Sequence, residues 1–238
     1  MGAEFMENDM TKAEISEILE NRCSTYAFLS QMYREEVSSA LLSQLVSELA
    51  TDEAQGDVGG EGHELLRQFA LGVRNSDLGQ VETELAAEYA RLFLIGRKDG
   101  VFPYESVYTS EERLLMQEAR DEVLLAYRQE GLDKTEAFKE PEDHLALELG
   151  FMVYLCQKTV ESMERAEEEA AVAYLEKQKD FLQAHLMVWV PQFCQDLAQV
   201  TRSDFYRGMA KITQEHLNLE GETIDELLGA FQGLGKEG

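Results

Sequence analysis

This sequence predicts an all-α protein, a single compact helical bundle, on three observations. Ala, Glu, Leu and Gln dominate and only three prolines interrupt them, a composition that favours helix at most positions. Apolar residues recur at helical spacing along most of the chain, and no stretch alternates convincingly at the period of a strand. Two of the helical stretches open on a hydroxyl residue followed three positions later by glutamate, the pattern of a capped helix start. No internal repeat is evident. With 238 residues, 44% of them hydrophobic, the chain has enough apolar side chain for one core. Residues 1–5 (M-G-A-E-F) read as an expression remnant, and 6–238 as one helical domain.

Taken in order, Thr11 and Glu14 form the first capping box, and Ile15, Ile18, Leu19, Tyr26, Leu29 and Tyr33 follow at helical spacing. Leu41, Leu42, Leu45, Val46 and Leu49 predict a second helix, which the glycine- and acid-rich run at 52–62 breaks. Helix resumes from about Glu64. Val81, Leu85, Tyr89, Leu92 and Phe93 mark another amphipathic helix, ending near Gly96. The stretch at 96–108 has no sustained period yet carries Phe102, Tyr104 and Tyr108, so it predicts a loop rich in aromatics.

Thr109 and Glu112 form the second capping box and predict a helix through Leu114, Leu115, Ala119, Val123, Leu124 and Tyr127, stopping at Gly131. At 140–148 the chain reads E-P-E-D-H-L-A-L-E. Pro141 suits the first helical position, which makes Glu140 the N-cap and sets Glu142 and Asp143 against the positive end of the dipole. The helix that follows is apolar on nearly every face and predicts the centre of the core. A charged helix is expected at about 161–189, with a kink or restart at Pro191, and two shorter helices at about 203–219 and 223–231.

Forty-seven acidic residues against twenty-one basic ones give a net charge of −26, which repels nucleic acid and anionic lipid; most of these acids read as a solubilising shell, and the charge also suits the attraction of cationic peptides, a choice that charge alone does not make. Cys23, Cys156 and Cys194 are odd in number, far apart and set in apolar patterns, and read as reduced core thiols. No signal-peptide pattern and no apolar run of membrane-spanning length is evident, so the chain is expected in the cytoplasm.

Metal and cofactor chemistry finds no motif. A helical di-iron site needs Glu-x-x-His pairs, but the residues three before His63, His144, His185 and His216 are Gly60, Pro141, Leu182 and Thr213. Phosphate-loop, dinucleotide and nucleophile-elbow motifs are absent from the sequence. His144 and Glu148 lie one helical turn apart, which suits a base with its orienter and equally a structural histidine satisfied by its neighbour. The cluster of acids around His144 and the aromatic loop together suit a receptor for a cationic, partly apolar peptide.

Four ordered stretches, E-Y-A-R-L-F-L-I-G, P-Y-E-S-V-Y, E-P-E-D-H-L-A-L-E-L-G-F-M and F-L-Q-A-H-L-M-V-W-V-P-Q-F, resemble the motifs of the TorD/DmsD family of cytoplasmic chaperones for molybdoenzymes. The resemblance implies an all-helical, non-enzymatic protein without a cofactor of its own. Its expected role is to bind the twin-arginine signal peptide and the apo form of a molybdopterin and iron–sulfur oxidoreductase, assisting cofactor insertion and preventing premature export. The expected state is a monomer or homodimer, without nucleic acid or stable membrane insertion.

Carried onto this chain, the resemblance assigns Tyr89, Leu92 and Phe93, then Pro103, Tyr104 and Ser106, then Asp143 and His144 to peptide binding. Asp143 takes the guanidinium contact, His144 orients it or bonds the peptide backbone, and Glu140, Glu142 and Glu148 lend support. Two other readings stand beside this one: a small acid/base enzyme using His144 with Asp143 or Glu148, and a nucleotide-binding regulatory protein.

Overall fold

The computed structural model describes residues 10–51, 60–94, 100–135 and 138–234, with side chains as far as residue 231. The expected remnant at 1–5, most of the glycine-rich run at 52–62 and the helix end near Gly96 lie outside the described residues. The helices are α1 (Lys12–Arg34), α2 (Ser39–Leu49), α3 (Glu61–Val73), α4 (Leu78–Tyr89), α5 (Glu105–Thr109), α6 (Glu118–Gln129), α7 (Leu145–Glu164), α8 (Glu168–Phe181), α9 (Met187–Val200) and α10 (Asp204–Leu234). Single wide π-helical turns follow α4, at Ala90–Leu94, and α8, at Leu182–Leu186. Among the described residues there is no strand, only an isolated antiparallel bridge between Tyr104 and His144.

Local chemistry sets several ends as expected. Thr11 caps α1 by accepting the Glu14 N–H at 3.3 Å, while the Glu14 carboxylate accepts the Thr11 N–H at 2.7 Å. Gly131 stops α6 at φ 71°, donating to the Arg128 carbonyl while Leu132 donates to that of Tyr127, each at 3.0 Å. This left-handed ending satisfies two carbonyls the helix leaves open.

The core forms around α7, which lies between α1 and α8. Leu145, Ala146, Leu149, Met152, Leu155 and Cys156 are fully buried, and Ser30 of α1 donates to the Ala146 carbonyl at 2.7 Å. α3 crosses α10 backbone against backbone: a Cβ on Gly62 would lie 2.6 Å from the Ile212 nitrogen, and one on Gly208 3.1 Å from the Gly62 carbonyl. Only glycine at both positions permits that approach. Deeper in, Arg22 of α1 grips Glu220 of α10 through Nε and Nη2 and donates to Gln178 of α8 at 2.7 Å, while Tyr26 donates to Glu220 at 2.8 Å. These polar groups are all buried, and their bonds tie three helices in one geometry.

Five expectations are corrected. α3 begins at Glu61 rather than near Glu64, because Glu215 of α10 accepts the Gly62 N–H at 3.3 Å at the helix start. Thr109 and Glu112 open no helix: Thr109 ends α5 with its hydroxyl on the Glu105 carbonyl, and Arg113 and Met116 take φ of 53° and 58°, which a right-handed helix excludes. The next helix, α6, starts at Glu118. Pro141 is not a first helical residue, and Glu140 is not an N-cap. Residues 141–144 form a turn closed by His144 N–H to Pro141 carbonyl at 3.2 Å, and His144 itself caps α7 by accepting the Ala146 N–H on Nδ1 at 3.1 Å.

The stretch at 161–189 breaks at Ala166, φ 57°, and Pro191 lies inside α9, just beyond the wide turn. Finally, the two helices expected at about 203–219 and 223–231 are one, α10 (Asp204–Leu234). Glu220 is held by Arg22 and Tyr26, and Thr223 bonds the Leu219 carbonyl within the helix, so Gly221 does not break it.

All three cysteines are free, Cys156 and Cys194 buried and Cys23 partly so. Burial pushes the Cys156 thiol up to about 12. Among the described residues, no helix is long and apolar enough to cross a membrane.

Candidate functional site

The site is built where the 100–109 segment meets the start of α7. Val101 donates to the Leu92 carbonyl at 3.0 Å, which ties this segment to the π turn after α4. It then pairs with the Pro141 turn: Glu105 N–H bonds the Asp143 carbonyl at 3.0 Å, and Leu145 N–H bonds the Pro103 carbonyl at 2.9 Å. Asp143 completes the join by accepting the Ser106 N–H on Oδ2 at 2.9 Å. Tyr104, the N-cap residue of α5, offers no side-chain cap. Asp143 therefore supplies from across the fold the acceptor that an N-terminal turn needs.

The predicted site residues are brought together, and most of them are interior. Asp143 and Ser106 have no exposure, and Leu92, Tyr89, Tyr104 and His144 are buried, as is Pro103. Phe93 is half-buried, ringed by Tyr89 at 4.9 Å, Tyr206 at 6.1 Å and Tyr33 at 6.2 Å between centroids. The Asp143 carboxylate, assigned the guanidinium contact, has Oδ2 on a backbone N–H of its own chain, while its Oδ1 is buried without a partner among the described residues.

The supporting acids are also engaged. Tyr104 donates a short hydrogen bond to Glu140. Burial alone would raise the Glu142 pKa, but Arg120 at 2.6 Å and Lys134 at 3.2 Å reverse it, and the net shift is downward. Burial, with Arg34 nearby, holds His144 down at about 3. Its Nδ1 already caps α7, so it forms no base and orienter pair with Glu148.

Glu148 belongs to a second buried group that sequence reasoning missed. Its Oε2 accepts the Trp189 indole N–H at 3.0 Å. Burial pushes its pKa well above the ordinary carboxylate value, and the negative charge of nearby Glu105 pushes the same way. Glu105 in turn sits 3.0 Å from Nδ1 of His185. His185 and Trp189 lie one turn apart in the fourth sequence motif, a spacing that places them on one helix face and was the available signal.

What the segment offers to a partner is apolar surface beside one acid. A groove of about 310 Å³ is lined by Phe102, Val107, Tyr108, Arg113, Asp196 and Val200, among others. Phe102 is 39% exposed, and Leu114, Leu115 and Met116, which follow Arg113 in sequence, are exposed to 48%, 43% and 65%. Arg113 lies over the Tyr108 ring, 5.6 Å from its centroid. Burial pushes the Tyr108 phenol up, and the nearby Asp196 carboxylate pushes the same way.

Comparison with known proteins is consistent with the four motifs. A family profile described as nitrate reductase delta subunit matches residues 52–195. A chaperone protein TorD of Vibrio parahaemolyticus is 32% identical over 206 residues, 84% of this chain and 92% of that protein. Proteins of the same name from Shewanella pealeana and Vibrio cholerae are 27% and 29% identical over 227 and 225 residues, each covering 90% of this chain and at least 95% of the relative.

Proposed function

This chain belongs to the nitrate reductase delta subunit family, and from that premise we propose that it is a molybdoenzyme maturation chaperone. In this reading it binds the twin-arginine signal peptide and the apo form of a molybdopterin and iron–sulfur oxidoreductase in the cytoplasm. It assists cofactor insertion and holds the precursor back from export. The observation that carries the reading is the groove at Phe102 and Tyr108 with Asp196 on its wall. A leader of two guanidinium groups followed by an apolar stretch needs that pairing of carboxylate and aromatic surface. The net charge of −26 draws such a peptide in.

Within this proposal the eight residues first assigned to the peptide divide by position. Phe93 packs among the aromatic rings behind the groove, and Tyr89, Leu92, Pro103, Tyr104, Ser106, Asp143 and His144 hold the groove-forming segment in place. Glu140, Glu142 and Glu148 act behind them.

Calorimetric titration with a synthetic peptide of two adjacent arginines followed by an apolar stretch tests the reading. Saturable binding is expected, weaker by about ten-fold with lysines in place of the arginines and with Asp196→Asn, the loss of about one charge-assisted hydrogen bond. No binding of the arginine peptide by the unaltered chain overturns it.

A further inference from the structure

A cleft of about 200 Å³ opens on the other flank of the buried Glu105 and Glu148 pair, between the end of α6, α7 and the wide turn after α8. We propose that this cleft is a binding site for the guanidinium group of an arginine side chain on a partner polypeptide. The inference rests on the reading of the partner as a basic polypeptide, and adds a place where one of its cations is held.

Four features of the cleft select a planar cation. Its walls are aromatic: the Phe151 and Phe181 rings stand 4.8 Å apart at 68°, and Phe181 lies 4.7 Å from the His185 ring. Cations bind over such faces, and guanidinium also stacks on them. Asp180, exposed at the rim, supplies a carboxylate without a partner among the described residues. The cleft also receives the C-terminal end of α6, where the helix dipole is negative. His185, 8% exposed, closes the floor. Its Nδ1 lies 3.0 Å from Glu105; with Nδ1 donating to that carboxylate, Nε2 of the neutral ring is an acceptor, and an N–H donor is the ligand group that complements it.

An internal cation already uses part of this chemistry. Lys177 pairs with Glu130 at the rim and lies over the Tyr174 ring at 4.8 Å. An incoming arginine competes with Lys177 for Glu130. The wide turn at Leu182–Leu186 has the extra residue that sets His185 where it is, and such turns recur at functional positions. Through Glu105, the first residue of α5, occupancy of the cleft is joined physically to the groove-forming segment.

Titration of the whole chain with argininamide, read at the imidazole carbon-bound protons of His185 by NMR, tests the site without any leader peptide. A saturable shift is expected, much smaller with lysinamide at equal ionic strength and abolished by Ala184→Trp. Ala184 lines the cleft from an exposed position, so this variant fills it without entering the core. Ala184→Trp is also expected to weaken the twin-arginine peptide at least ten-fold, Asp180→Asn several-fold, and Lys177→Ala to strengthen it. A motionless His185 signal, equal shifts with lysinamide, or peptide affinity unchanged in Ala184→Trp overturns the inference. The last of these leaves leader binding itself intact, whereas failure of the unaltered chain to bind the peptide removes the underlying reading.

Discussion

Asp143 accepts the backbone N–H of Ser106 at 2.9 Å across 37 residues of sequence. One carboxylate thereby anchors α5, a helix of only five residues, which is far too short to form unaided. Asp143→Ala leaves that N–H buried without an acceptor, and is expected to destabilise the fold by about 1–3 kcal/mol. Asp143→Asn keeps an acceptor oxygen and should recover most of the loss. Urea unfolding of the three proteins checks the order, and equal stability of the alanine variant contradicts the capping role.

Glu148 makes stability fall as pH rises. Its folded pKa lies well above its ordinary 4.5, so from pH 4.5 up to that raised value the folded state holds a proton the unfolded state has lost. Stability therefore drops through this window, by at most about 1.4 kcal/mol per pH unit. Glu105, Asp143 and Trp189 are the polar neighbours that act on it, and His185 in turn stands against Glu105. Glu148→Gln, which cannot ionise, is expected to flatten the decline between pH 5 and 8 in urea midpoints and to be the more stable protein at pH 8. A parallel pair of pH curves would show that Glu148 is not the group responsible.

His144 acts in the opposite sense. Its pKa is held at about 3 against an ordinary 6.5, so between those values the unfolded state binds a proton that the folded state refuses. Its contribution is intact above pH 6.5 and is lost as pH falls towards 3. His144→Asn, a residue suited to the same capping position, is expected to remove this acid-side slope while keeping α7 capped. Unfolding midpoints from pH 6.5 down to 4 measure it.

Removing Glu220 leaves Arg22 charged and buried. Glu220→Ala is expected to cost about 3–5 kcal/mol. By contrast Lys179→Ala, which breaks the exposed pair with Asp225 at 2.6 Å, is expected to cost at most about 1 kcal/mol. Chemical denaturation distinguishes the two, and comparable small losses would mean that the buried node does not hold α1 to α10.

What could be read from the sequence was what depends on near neighbours. The Thr11 and Glu14 box, the Gly131 stop and the buried face of α7 all follow from residues within one or two turns of each other. The Thr109 and Glu112 pair has the same local pattern yet opens nothing, because Thr109 is already the last residue of α5. Pro141 misled for a related reason: its turn is shaped by pairing with Pro103 and Glu105, almost forty residues earlier in the chain. The candidate site residues were legible as a group, through four ordered motifs. Which of them face outward was not, since Asp143 differs from an exposed acid only in having Ser106 folded over it. Asp196, His185 and Trp189 became visible as site residues only when α9 and the wide turn were seen packed against α5.

The wide turn at Leu182–Leu186 gives α8 and α9 a phase offset. It accommodates one residue more than an ordinary turn, so the angular position of everything downstream depends on that surplus. Excising Gln183 would let the turn relax to regular pitch and rotate the following helix by about 100° relative to the one before it. Trp189 and Asp196 would swing away from their partners together, although neither had been altered. Chain length at this point thus acts as a setting for the distant groove, and a single-residue deletion there is a sharper perturbation than most substitutions within it.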